Sequence, residues 1–202
     1  MSATRRETAV SITALTAGYG DRAAVSEVNL DLAVGSLTAI FGPNGGGKST
    51  LLKCAAGLMR PWSGSVEVLG APVGVNSARV AYVPQAEQVD WSFPVSVDEV
   101  VAMGRTPRIG PLGRVGAADR AAIDEALERV EMSSYAARQI GELSGGQRRR
   151  VFIARALASE PDLYLLDEPV TGVDPVTQER IMNILDAEAA RGRTVVATTH
   201  DL

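Results

Sequence analysis

The chain is poor in the residues that build disulfides, metal clusters and membrane spans. Its 202 residues include one cysteine, Cys54, and one histidine, His200. A single cysteine excludes an internal disulfide and suits a reducing cytosol. One cysteine with one histidine supplies no ligand set of the spacing that zinc-type sites use. No window approaches the ~18–20 apolar residues that crossing a bilayer requires, so any membrane role is expected to run through a partner. The opening MSATRRETAV has two arginines with no apolar stretch behind them and is not a secretory signal. A net charge of −4 gives no basic footprint for nucleic acid. The only dense basic run, Arg148–Arg150, reads as a charged, solvated face.

Hydrophobic residues make up 46% of the chain, enough for one domain with a sizeable core and a smaller lobe, and 22% charge argues against global disorder. Strand patterns run over Val10–Tyr19 and Ala23–Leu32, joined by a turn at Gly18–Asp21. Ser36–Gly42 reads as a buried strand, Lys48–Leu58 as a helix, and Gly64–Gly70 and Arg79–Pro84 as further strands. From Ala86 to Ser159 the pattern is mainly helical. Ser96 and Glu99 form a capping box ahead of Val97–Met103, Arg105–Gly116 reads as a Gly/Pro loop, Ala117–Val130 has helical apolar spacing, and Ser144 caps a helix running to Ala158. Strands return at Leu163–Asp167 and Thr194–Thr199, around a helix at Pro175–Ala190 that Asp174 caps. Alternation of strands and helices predicts an α/β fold with a largely parallel sheet.

Three motifs carry chemistry. Gly42-Pro43-Asn44-Gly45-Gly46-Gly47-Lys48-Ser49 fits G-x-x-x-x-G-K-[ST], lies between a strand and a helix, and is followed by Thr50. Its glycines let backbone N–H groups converge on phosphate oxygens, and the helix start adds positive potential. Lys48 is a point charge for the β- and γ-phosphates, and the Ser49 hydroxyl is a Mg²⁺ ligand. The strand Leu163–Leu166 ends in Asp167 and Glu168, two carboxylates for two tasks: Asp167 on Mg²⁺ through water, and Glu168 at the attacking water. Leu143-Ser144-Gly145-Gly146-Gln147 is a second anion cup, with a serine cap and bare glycines at a helix N-terminus. By composition this pentapeptide arises by chance in about one such chain in several thousand.

Phosphate loop, acidic strand and LSGGQ, in this order, resemble the nucleotide-binding domains of ABC transporters over nearly the whole chain. The resemblance implies a P-loop NTPase (RecA-like) core, assigned to residues 1–85 and 160–202, with an antiparallel β subdomain, and an inserted α-helical subdomain over residues 86–159. It places Tyr19 on adenine, Gln85 on Mg²⁺ and the attacking water, Thr171–Asp174 across a dimer interface, and His200 on the γ-phosphate. Taken singly, Tyr19 also reads as a strand-end packing residue, Gln85 as a turn group and His200 as an ordinary core or surface histidine. The resemblance further implies ATP and Mg²⁺ as cofactors and two copies packed head to tail, Ser144–Gln147 of one closing on the nucleotide held by the other. It implies a separate membrane permease, a substrate-binding protein reached indirectly, and a peripheral location on the cytoplasmic face of the membrane.

Asp90–Val97, containing Trp91 and Phe93, and Val100–Arg105 resemble subunits of manganese/zinc import systems, as does Glu168–Asp174. Siderophore, haem and cobalamin importers share the MGR-type helix and remain an alternative. So does an ABC ATPase acting on nucleic acid or the ribosome, although such proteins usually carry two nucleotide domains or long inserts. Trp91 and Phe93 read equally as permease anchors and as residues packed under the lobe's own helices. Family members continue with further helix and strand after the histidine, so the chain is expected to be a C-terminally shortened member with poor ATPase activity in isolation.

Overall fold

In a computed structural model, residues 7–85, 93–110 and 113–200 are described. Two sheets share the chain. An antiparallel sheet has the order β2-β1-β4-β5, with β1 at Thr8–Tyr19, β2 at Arg22–Ala33, β4 at Ser63–Val68 and β5 at Ala71–Pro72. A parallel sheet has the order β3-β8-β7-β6, with β3 at Leu37–Phe41, β6 at Val80–Val83, β7 at Leu163–Leu166 and β8 at Thr194–Thr199.

Side chains alternate across a strand, and β7 uses both faces. Leu163 and Leu165 join Leu51, Leu52 and Cys54 of α1 (Lys48–Ala55) and the inward residues of β1 and β4 in one core. Tyr164 and Leu166 face a second core, shared with α2 (Val97–Ala102), α4 (Ala117–Arg129), α5 (Gly145–Ala158) and α6 (Pro175–Ala190). Burying a leucine of this kind stabilises the fold by about 1.5–3 kcal/mol. The second core is continuous from α2 and α4 through α5 to the sheet, so the helical segment packs directly on the strands that carry the acidic pair.

The local signals explain most boundaries. Ser96 and Glu99 form the capping box of α2, and Asp174 accepts from the Thr177 N–H at the start of α6. Helix α1 stops three residues earlier than its apolar pattern suggests. Gly57 takes a left-handed φ of 73°, and the N–H groups of Gly57 and Leu58 return to the Cys54 and Lys53 carbonyls.

Three expectations are corrected. First, β3 is not a buried strand: among the described residues it is an edge strand paired with β8, and Leu37 and Phe41 are 41% and 53% exposed. Second, the stretch from Arg105 to Gly116 is not simply loop. A 3-10 turn at Met103–Arg105 runs into the short helix α3 (Thr106–Ile109), because Arg105 is drawn inward. Its guanidinium is buried and donates to Asp119 Oδ1 at 2.9 Å, to the Ala158 carbonyl at 2.8 Å and to Glu160 Oε2 at 2.7 Å. Gly104 beside it is obligatory, since a Cβ there would lie 2.2 Å from the Arg155 carbonyl oxygen. Third, Arg148–Arg150 is not a solvated face. Arg148 donates to the Ile140 and Gly141 carbonyls, Arg150 to the Val130 carbonyl, and Arg149 is 5% exposed with the Pro84 and Thr171 carbonyls at 3.5 Å. Arginine forks suit this work because carbonyls left by irregular backbone need donors.

Candidate functional site

Each parallel strand delivers one part of the site at its C-terminal end, the edge where α/β sheets place ligands. β3 leads into the phosphate loop, β6 into Pro84 and Gln85, β7 into Asp167 and Glu168, and β8 into His200. A cleft of about 380 Å³ opens there, lined by Tyr19, Asn44–Thr50, Lys53, Gln85 and Glu168. Gly45 and Gly47 hold left-handed φ values of 76° and 85°. At Gly47 a Cβ would sit 2.4 Å from Val25 and 2.5 Å from the Ala24 carbonyl oxygen, so the loop is pressed onto β2 and no other residue fits. Gly46 N–H closes the turn onto the Pro43 carbonyl at 3.1 Å.

Lys48 is 9% exposed and donates to the Gly42 carbonyl at 2.7 Å and the Pro43 carbonyl at 3.0 Å. Its ammonium lies 3.9 Å from Glu168 Oε1. The other oxygen, Glu168 Oε2, accepts from Gln85 Nε2 at 3.3 Å and lies 3.4 Å from His200 Nδ1. Glu168 is therefore a nearly buried carboxylate facing a lysine, a glutamine and the histidine. Its backbone holds φ 51°, a left-handed conformation uncommon for a residue with a Cβ. A carboxylate so placed has the chemistry of a proton acceptor.

Asp167, fully buried, receives Thr198 Oγ1 on Oδ1 at 2.8 Å and the Tyr82 hydroxyl on Oδ2 at 3.4 Å. Burial, and then the Asp167 charge and hydrogen bond, push the Tyr82 phenol well above its ordinary range, so it stays a donor. Neither Thr198 nor Tyr82 is marked by the motifs. The hint is clear only for Tyr82, the one polar residue of the run VAYV, since Thr198 sits in a strand that is half threonine. Ser49 and Gln85 line the cleft, and Asp167 precedes the cleft-lining Glu168. Hydroxyl, carboxamide and carboxylate oxygens are hard donors of the kind Mg²⁺ takes, so this set fits that ion.

Tyr19 stands at the cleft rim, 55% exposed, with the Lys53 ammonium 6.0 Å from its ring centre. Ser144, Gly145, Gly146 and Gln147 do not line the same cleft. They form the start of α5, where Ser144 Oγ accepts from Gln147 N–H at 3.3 Å and Gln147 Oε1 accepts from Ser144 N–H at 2.9 Å. A Cβ on Gly145 would meet nothing within 4 Å, so this glycine presents bare backbone outward. Trp91 lies outside the described residues, and Phe93 is 65% exposed.

The family model for ABC transporters matches residues 25–171, which hold the phosphate loop, the LSGGQ helix start and the acidic pair. The chain belongs to the ABC transporter ATP-binding family. It is thus an ATP-binding, ATP-hydrolysing subunit. It is 45% identical over 194 residues to the zinc transport system ATP-binding protein TroB of Treponema pallidum, covering 96% of this chain and 73% of that protein. It is 44% identical over 205 residues to the manganese transport system ATP-binding protein MntA of Synechocystis, covering 100% and 79%. Among solved structures, a metal-chelate type ABC transporter in an inward-facing conformation aligns with TM-score 0.82 at 35% identity, over 96% of this chain and 74% of that one. A dimeric ATP-binding cassette in a post-hydrolysis state, bound to ADP and Pi, aligns with TM-score 0.82 at 30% identity, over 95% and 88%.

Proposed function

We propose that this subunit powers import of a divalent transition metal, manganese or zinc, through a separate membrane permease. The observation that carries the reading is its 43–45% identity, over at least 95% of the chain, to ATP-binding proteins of zinc and manganese transport systems. Among the described residues no helix is long and apolar enough to cross a membrane, and no cluster of three or more His, Cys, Asp or Glu side chains could hold a metal. In this reading the cargo is chosen by the permease and a substrate-binding protein, and this chain docks peripherally on the cytoplasmic face.

ATP enters the cleft with its adenine on Tyr19 and its phosphates in the Gly42–Thr50 loop. Lys48 exchanges the Gly42 and Pro43 carbonyls for phosphate oxygens, a better partner for its charge. Ser49, Gln85 and Asp167 would hold Mg²⁺, which when bound offsets phosphate charge. Glu168 takes a proton from the attacking water, with Gln85 and His200 orienting that water and the γ-phosphate. General-base action of this kind contributes about 10²–10⁴ in rate, or roughly 3–5 kcal/mol of barrier. Ser144–Gln147 stands outside the cleft of its own chain, which supports a head-to-tail pair in which each α5 start closes the partner's site. Facing helix N-termini then favour a triphosphate shared between them.

The test is reconstitution of the chain with a candidate permease in vesicles, followed by radiolabelled manganese and zinc uptake. ATP-dependent uptake of either ion, lost on Lys48→Ala, is expected. Uptake of a ferric siderophore or cobalamin instead, with neither ion moved, refutes the metal assignment. Sedimentation with ATP tests the pair, and a strictly monomeric ATP-bound state overturns it.

A further inference from the structure

The parallel ladder between β7 and β8 ends at the pair Leu166↔Ala197. Beyond that rung the backbone N–H of the next buried residues needs a new acceptor. Asp167 N–H finds the Val83 carbonyl at 2.9 Å, continuing the pairing with β6. Glu168 N–H points to the opposite side, toward β8, as alternate residues of a strand do, and finds a side chain there: Thr198 Oγ1, at 2.9 Å, before the φ of 51° at Glu168 turns the chain. The same hydroxyl donates to Asp167 Oδ1 at 2.8 Å. Thr198 is 1% exposed, so water does not substitute for either bond.

We propose that Thr198 is a positioning residue for ATP hydrolysis, whose single hydroxyl locks the left-handed backbone of Glu168 to the carboxylate of Asp167. A hydroxyl has one proton to give and lone pairs to accept with, and both capacities are used here. The direction of the two bonds is therefore determined. The Asp167 carboxylate takes the proton, which leaves the oxygen of Thr198 facing Glu168 N–H. One side chain thus sets the relative placement of the metal-side acid and the water-side acid. Thr198 lines no part of the cleft and acts through Glu168 and Asp167. The inference rests on Glu168 being the general base.

Thr198→Val keeps the branched shape that suits a strand but removes both hydrogen bonds. The expected result, in the chain assembled with its permease, is a fall in kcat of about ten- to a hundredfold, as for misplacement of a catalytic group by an ångström or less. KM for ATP and binding of a fluorescent ATP analogue stay near wild type, because the phosphate loop is untouched. Thr198→Ser, which retains the hydroxyl, restores kcat. If the valine variant does not fold, Thr198→Ala gives the same comparison against serine. In the Glu168→Gln background, Thr198→Val costs less than it does in the wild type, since the share acting through Glu168 has nothing left to position and only the bond to Asp167 is still lost.

Wild-type kcat for Thr198→Val alongside an inactive Glu168→Gln overturns the positioning role and leaves the base assignment standing. So does a serine variant as slow as valine, or a loss in the double variant as large as that of Thr198→Val alone. Full turnover by Glu168→Gln sinks the base assignment itself.

Discussion

Gln85 and Glu168, 83 residues apart in the chain, meet at 3.3 Å with the glutamine amide donating to the carboxylate. The contact joins the end of β6, where the helical segment departs, to the end of β7, where the acidic pair stands. A shift of the helical segment against the sheet would therefore be felt at the proposed base.

Replacing that base tests it directly. Glu168→Gln keeps the volume and loses the proton acceptor. ATP binding and ATP-dependent pairing are expected to persist, while phosphate release in single-turnover experiments falls by about 10²–10⁴. Undiminished release refutes the role.

Gly47→Ala probes the phosphate loop without touching a functional side chain. The added methyl meets Val25 and the Ala24 carbonyl within 2.5 Å, at a backbone φ of 85° that alanine disfavours. Displacement of the loop is expected to abolish binding of an ATP analogue, at a stability cost of about 1–3 kcal/mol for the strained conformation. Calorimetric titration together with thermal unfolding separates the two effects.

Arg105→Ala removes a buried guanidinium that ties the start of α4, through Asp119, to the end of α5, through Ala158 and Glu160. Asp119 is held below its ordinary value by the Gly116 N–H and then by Arg105, so it stays charged and would be left without its arginine. Loss of these bonds is expected to destabilise the fold, and Arg105→Lys to recover only part because the fork is lost. Urea unfolding checks the order wild type, lysine, alanine.

Acid stability is expected to depend on Glu188. Burial raises its pKa, but hydrogen bonds from Tyr164 at 2.7 Å and Arg129 at 2.7 Å, with Arg191 close by, outweigh burial and hold it below the ordinary 4.5. Its folded pKa is depressed, so its contribution is fully present above pH 4.5 and is lost as pH falls through the lower folded value. Thermal melts between pH 7 and 3 are expected to show a steeper acid fall in wild type than in Glu188→Gln. Equal slopes would contradict the assignment.

The local chain by itself determined the α2, α5 and α6 starts at Ser96, Ser144 and Asp174, because capping needs only neighbours three residues away. It also determined the phosphate loop, whose pattern is spelled out within eight residues, and the family that the loop, the acidic pair and LSGGQ spell out together. Only the tertiary structure decided that Arg105 and Arg148–Arg150 turn inward, that β3 is an edge, and that Thr198 and Tyr82 hold Asp167. The reason is that a buried polar group is defined by its partner. Those partners lie 7 to 85 residues away along the chain, and no periodicity or motif spacing of this sequence marks them as pairs.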